Sequence, residues 1–230
     1  MDKRKTCPLR HLLPRGTLLP VICTLGLQLL VYDGAKLLMM KAPHYTFETA
    51  WDMAIPFLPW TIVVYIGTFL YWAVTTVVVL RRDRDSGFRF LWAHCLSLLM
   101  ALVFFLLLPT TNTRPTPGKD TLWDWGMGLL YALDTPDNLF PSLHCELSWL
   151  CYLALKKTPG IPRWGKVSAL VFTLLVFVST LTTKQHILID VVGGWVIGEI
   201  SFRLCGNPKV MAPFYRIFDR SANRRDSANR

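Results

Sequence analysis

The sequence predicts an all-α integral membrane bundle of six transmembrane helices with both termini cytoplasmic. Three observations lead there. Of 230 residues, 52% are hydrophobic and only 17% charged. The apolar residues fall in long blocks, with the charges gathered between them. The basic residues crowd every second connection, the bias that orients a membrane protein.

The six spans follow in order. Thr17–Met40 is apolar, with Asp33 and Lys36 only near its end. Ala54–Leu80 has no charged residue, and in Phe90–Pro109 the only titratable side chains are His94 and Cys95. Each of these two can cross about 30 Å of hydrocarbon as a helix, and a soluble core helix of that length would show a polar face. Leu139–Leu155 opens with the polar "FPSLHCE", Gly165–Thr183 is rich in β-branched residues, and His186–Cys205 includes Asp190, Glu199 and Arg203. Residues 1–16 form a basic cytoplasmic N-terminus, 17–205 the membrane domain and 206–230 a basic cytoplasmic tail. The tail's repeated "SANR" is too short to mark a repeat fold and is expected to be disordered.

Orientation comes from the loops. Lys3, Arg4, Lys5, Arg10 and Arg15 precede span one; Arg81, Arg82, Arg84 and Arg89 follow span two; Lys156, Lys157, Arg163 and Lys166 follow span four. Six more basic residues, from Lys209 to Arg230, follow span six, whereas the other three loops hold only Lys36 and Lys41, Arg114 and Lys119, and Lys184. The sparse loops are therefore outside. This also accounts for the net charge of +10. Basic residues spread over separate segments do not make a nucleic-acid site, though they suit anionic lipid heads. No small-residue cleavage site follows the first apolar block, so it is expected to stay as a span. The six cysteines form no C-x-x-C pair and read as packing residues.

Ionisable groups inside a membrane cost about 2–3 kcal/mol each on insertion scales, so they persist where they have a partner or a task. Here they are His144, Glu146, Asp190 and Glu199, with His186 at a span edge. His186 and Asp190 stand four apart, which stacks them on one face of a helix, and a carboxylate beside an imidazole fixes its tautomer and raises its basicity. By topology Arg114, Ser142, His144, Lys184, His186 and Asp190 share one membrane level at the outer face. Two histidines, a carboxylate, a serine and two cations at a lipid–water boundary suit phosphoryl transfer. The cations and a backbone N–H hold phosphate oxygens, one histidine attacks phosphorus, and the other protonates the leaving oxygen. A metal site built from His144, Glu146, His186 and Asp190 is the rival chemistry. Residues two apart on a helix diverge by about 200°, and no H-E-x-x-H is present, so neither metal nor cofactor is expected. A transporter using these groups as a relay is an alternative of another class, as is a non-catalytic membrane protein.

At these residues the chain resembles the type-2 phosphatidic acid phosphatase superfamily, whose motifs are K-x6-R-P, P-S-G-H and S-R-x5-H-x3-D. The first survives as Arg114–Pro115, with Leu107 at the lysine position. The second is "PSLH", Pro141–His144, with Leu143 for glycine. The third is Ser179–Asp190, with Thr180 for arginine. The resemblance implies a metal-independent enzyme with His186 as phosphate-accepting nucleophile, Asp190 orienting it, His144 as general acid, and Arg114 and Ser142 holding phosphate. Lys184 matches no family position; it is expected to replace charge lost at Leu107 and Thr180. "PSLH", the missing arginine and "AIPFLPW" are nearest to the inositol phosphorylceramide synthase-like branch, which moves a phospho-headgroup to an alcohol acceptor. The expected activity is phosphatidic-acid-type hydrolysis, with such transfer as the alternative. The expected partners are a membrane lipid phosphate and the bilayer, with no nucleic acid. Small size and bare loops point to a bacterial plasma membrane, with the site at the extracytoplasmic face.

The remaining features have plainer readings. Tryptophans near the span ends anchor the interface. "TLWDWGMGLLYAL", Thr121–Leu133, reads as a short interfacial helix over the site. Gly193, Gly194 and Gly198 read as close helix packing. Glu48 and Asp52 precede span two on the outside, where they could meet the headgroup, with a solvated loop as the plainer reading; His11, His44 and His94, without partners in sequence, take no role.

Overall fold

A computed structural model describes residues 13–219. Within them the chain is helical, with no strand and one isolated parallel bridge between Tyr45 and Thr110. The helices are α1 (Leu18–Met39), α2 (Ala50–Ala54), α3 (Ile62–Arg82, entered through a 3-10 turn at Pro59–Thr61), α4 (Arg84–Leu107), α5 (Leu122–Leu133), α6 (Leu143–Lys157), α7 (Arg163–Thr182), α8 (Leu188–Leu204) and α9 (Pro208–Phe218). Residues 1–12 and the "SANR" repeats lie outside the described residues.

Among the described residues, four helical stretches are long and apolar enough to cross a membrane: Leu18–Met39, Pro59–Arg82, Arg84–Leu107 and Arg163–Thr182. Their outward faces expose large apolar side chains, among them Leu30, Leu37, Phe69, Leu70, Val103 and Val171. Such faces suit hydrocarbon rather than water, and the molecule is an integral membrane protein. The expected spans at Leu139–Leu155 and His186–Cys205 correspond to the shorter α6, of 15 residues, and α8, of 17. α6 is the inner helix, packed against α3, α4, α7 and α8. Because it meets protein rather than lipid, it can carry polar side chains.

Several boundaries differ from the sequence reading. The second span was expected from Ala54, but Pro56 and Pro59 keep the chain out of the α conformation until Ile62. The basic connection Arg81–Arg89 is no loop: only Asp83 separates α3 from α4, and its carboxylate caps α4 by accepting from the Ser86 N–H at 2.9 Å. The tail expected from residue 206 contains α9, which starts at an Asn207 cap and a first-turn proline and buries Met211 and Phe214. Trp92 Nε1 pins it by donating to the Val210 carbonyl at 2.7 Å.

Glu146 also finds its place here. It is fully buried, accepts from Ser97 Oγ, and pairs with His94 Nδ1 at 3.2 Å. His94 Nε2 meets Gln28 Oε1 at 3.2 Å. His94, expected to have no role, therefore joins α6 to α4 and α1. Glu199 is held locally, accepting from Arg203 Nε at 2.6 Å and Trp149 Nε1 at 2.8 Å.

α8 packs on α6 backbone to backbone. A Cβ on Gly194 would lie 2.3 Å from the Ser142 carbonyl oxygen, and one on Gly198 3.1 Å from that of Glu146. Gly194→Val should therefore push the start of α6 away and destabilise the fold by at least about 1–3 kcal/mol. Thermal unfolding in detergent reads this, and an unchanged midpoint would deny the close approach.

Candidate active site

Two local structures create the site. In the first, α7 ends at Thr182 and the chain turns through Lys184, whose φ of 52° is left-handed. Lys184 is held there as its carbonyl accepts from Asn112 Nδ2 at 2.9 Å and its ammonium donates to the carbonyls of Asp52 (2.8 Å) and Ile55 (2.6 Å). His186 follows, before α8 begins. Asp190, third in α8, reaches back to accept from the Ile187 N–H at 3.0 Å and meets His186 Nδ1 at 3.4 Å. The pair thus forms by helix capping, not by stacking along a helix face as the spacing predicted. With Nδ1 engaged by Asp190, Nε2 is the ring nitrogen left for another partner.

In the second, α6 starts at Leu143 with Ser142 as its cap, the Ser142 hydroxyl accepting from the Cys145 N–H at 3.3 Å. Ser142 is fully buried, and its N–H donates to the Asp190 carbonyl at 3.0 Å. Ser142, expected to hold phosphate, lines neither cavity, and its hydroxyl oxygen caps α6. Its backbone instead ties the His144 helix to the His186–Asp190 helix. The two imidazole rings stand 6.1 Å apart, centroid to centroid.

His186 lies between two unlike cavities. One, of about 380 Å³, is the more polar of the two: Asp52, Asn112, Arg114, Lys184 and His186 line it together with apolar residues such as Ile55, Phe57 and Leu181. The other is a groove of about 470 Å³ lined by Leu29, Ile66, Phe69 and Leu133, with His144 and His186 at its polar end. The structure thus brings Arg114, Lys184, His186 and Asp190 together, with His144 on the groove side. Arg114 donates to Gln185 Oε1 at 2.6 Å and to the Asp134 carbonyl, with its guanidinium 5.0 Å from the Tyr131 ring centroid. Burial lowers its pKa against a partial restoring pull from Asp134 and Tyr131, yet guanidinium stays charged in proteins. Leu107 and Thr180, at the places of two cations in the motifs above, add no charge: Leu107 is 77% exposed, and Thr180 donates to the Phe177 carbonyl at 2.8 Å.

Sequence reasoning missed Asp52. Far from a solvated loop residue, it is 5% exposed and forms a capping box with Thr49. It also accepts from the Leu188 N–H at 2.7 Å, closing the first turn of α8 beside His186. The T-x-x-D pattern signals the short helix; nothing local signals a partner in α8. Burial would raise its pKa, but hydrogen bonds from Thr49 and Leu188 and the Lys184 charge outweigh that and hold it below the ordinary value. A depressed folded-state pKa means that the stabilisation is complete above the ordinary carboxylate value of about 3.9 and is lost as pH falls through the lower folded value. Wild type should therefore unfold at a higher temperature than Asp52→Asn at pH 7, with the gap closing below about pH 4. A gap independent of pH would contradict this.

A family model described as the PAP2 superfamily matches residues 44–204. No curated protein and no solved structure matches the chain.

Proposed function

The chain belongs to the PAP2 superfamily, and from that premise we propose that it is a metal-independent lipid phosphatase acting on a phosphatidic-acid-type substrate through a phosphohistidine on His186. Membership by itself suggests a phosphatase- or phosphotransferase-type activity on lipid phosphate. The observation that carries the finer reading is the position of His186. It lies between the more polar cavity, which holds the cations Arg114 and Lys184, and an apolar groove, which matches a substrate with an anionic head and a hydrocarbon body. In this reading α6 and α8 complete six spans, both termini are cytoplasmic, and the site faces the outside of a bacterial plasma membrane.

The chemistry follows from the residues. The phosphate lies in the polar cavity against Arg114 and Lys184, the positive charges neutralising its oxygens. His186 Nε2 attacks phosphorus while Asp190 at Nδ1 stabilises the cation that forms. The P–O bond to the lipid alcohol breaks, and His144 gives its proton to the departing oxygen. Water then attacks the phosphohistidine, His144 takes back a proton, and phosphate leaves with His186 restored.

A second reading has its own support. The motifs here lack two cations, at Leu107 and Thr180, which suits a phosphodiester, with less charge than a phosphomonoester. In that case an alcohol replaces water as acceptor, as in the inositol phosphorylceramide synthase-like branch. The test is phosphate release from dioctanoyl phosphatidic acid by protein purified in detergent with EDTA. Release that survives chelation supports the phosphatase. No release, with headgroup transfer from phosphatidylinositol to an added lipid alcohol, moves the assignment to the transferase. Inactivity in both assays refutes both.

A further inference from the structure

His144 does not stand alone at the end of the groove. Its ring stacks on Tyr65 of α3, centroids 4.4 Å apart and planes at 30°. Its Nδ1 lies 3.4 Å from the Tyr65 hydroxyl, which lies 3.4 Å from Asp134 Oδ2. Asp134 is the C-cap of α5, its N–H donating to the Leu130 carbonyl at 2.8 Å. Its other carboxylate oxygen accepts from the hydroxyl of Tyr32 on α1, and its carbonyl accepts from Arg114. Hydroxyls from α1 and α3 thus converge on one carboxylate behind His144, while Arg114 holds the backbone of the same residue. The opposite ring nitrogen, Nε2, is buried with no protein partner, in a residue that lines the groove with His186.

We propose that Tyr65, backed by Asp134, is a positioning residue that holds His144 as the proton donor, with Nε2 as the nitrogen that gives and takes the proton. This rests on the reading of His144 as general acid. An ionised carboxylate only accepts hydrogen bonds, so Tyr65 spends its one proton on Asp134. The lone pairs of its oxygen are then left for His144, and Nδ1 must carry a hydrogen. A charged imidazole in a dry site needs a counter-charge, and Asp134 supplies it one hydroxyl away. When the P–O bond breaks, the Nε2 proton goes to the leaving oxygen while the Nδ1 proton stays. His144 is left neutral with a lone pair on Nε2, the form needed to take a proton from the incoming water or alcohol. The same chain therefore serves both halves of the reaction.

Packing alone does not account for this arrangement, since phenylalanine would stack as well. The hydroxyl is the informative atom, and Tyr65→Phe removes it while keeping the ring. Two substrates separate the roles. The alkoxide of dioctanoyl phosphatidic acid needs a proton to leave; the nitrophenolate of p-nitrophenyl phosphate does not. In the first, enzyme-phosphorylating step, read as the burst of released alcohol, Tyr65→Phe should be slower by about tenfold or more on phosphatidic acid. On p-nitrophenyl phosphate it should stay within about twofold, and Asp134→Asn should show the same contrast. An equal loss on both substrates, or no loss on either, overturns the proposal. If wild type turns over neither substrate, the hydrolase reading fails, and the positioning role is read without turnover. The 15N shift of His144 Nδ1, in protein labelled at histidine, should move in Tyr65→Phe; an unmoved shift overturns the proposal.

Discussion

Replacing His186 by alanine is expected to abolish phosphate release, lowering kcat by at least about 10³-fold. The reason is covalent. If phosphorus is carried on His186 Nε2, no neighbouring group takes its place: His144 is 6.1 Å away, ring to ring, on the groove side. Asp190 lies behind His186 at Nδ1, 3.4 Å away, with the same carboxylate oxygen capping the Ile187 N–H. The loss should fall on kcat with KM little changed, because Arg114 and Lys184 still line the cavity that receives the phosphate. Wild type given radiolabelled phosphatidic acid and quenched in alkali should retain label; His186→Ala should retain none. Label on the alanine variant would move the nucleophile elsewhere. Asp190→Asn should act more mildly on chemistry, since it keeps an oxygen to accept from the Ile187 N–H but loses the charge facing His186.

Glu146→Ala is expected to be the largest loss of stability among single substitutions away from the site, about 3 kcal/mol. Two magnitudes bear on the estimate. Polar pairs between membrane helices average only about 0.6 kcal/mol by double-mutant cycles, which alone would make Glu146 minor. Truncation, however, removes one partner and strands the others. Ser97 and His94, both buried, would lose their shared acceptor in a place where water cannot substitute. Glu146→Gln keeps an acceptor of the same shape and should cost much less. The thermal unfolding midpoint in detergent reads both, and a Glu146→Ala protein as stable as Glu146→Gln would show that the network does not hold the bundle. The variant that remains folded should keep its rate per molecule, because Glu146 faces α4 and lines neither cavity of the site.

Much of the site was legible because its signals are local. His186 and Asp190 are four residues apart, a pair read from spacing; Pro141–His144 is a contiguous run, read as a motif through the family resemblance. Even there the sequence pointed to the right pair by the wrong geometry. A helix face was expected, whereas a helix cap brings the two groups together, since α8 starts only at Leu188. Ser142 adds a detail that the run does not announce: its hydroxyl oxygen caps α6. Asp52, Tyr65 and Asp134 carry no local mark of their roles. Asp52 meets Leu188, 136 residues away, and Tyr65 meets His144, 79 residues away. No periodicity or motif encodes a contact of that range.

By itself the sequence determined the solvent and pointed to the superfamily. Blocks of apolar residues select the membrane because burying a backbone in hydrocarbon demands helices. Ionisable groups within them announce a polar interior because exposing them to lipid is costly. The tertiary structure alone decided which partners those groups take. Glu146 and His144 start on the same turn of α6, yet one turns to His94 on α4 and the other to Tyr65 on α3. A helix sets the direction in which each side chain leaves. What each one meets depends on which neighbour packs there, and that is fixed by close approaches such as Gly194 on Ser142, between residues far apart in the chain.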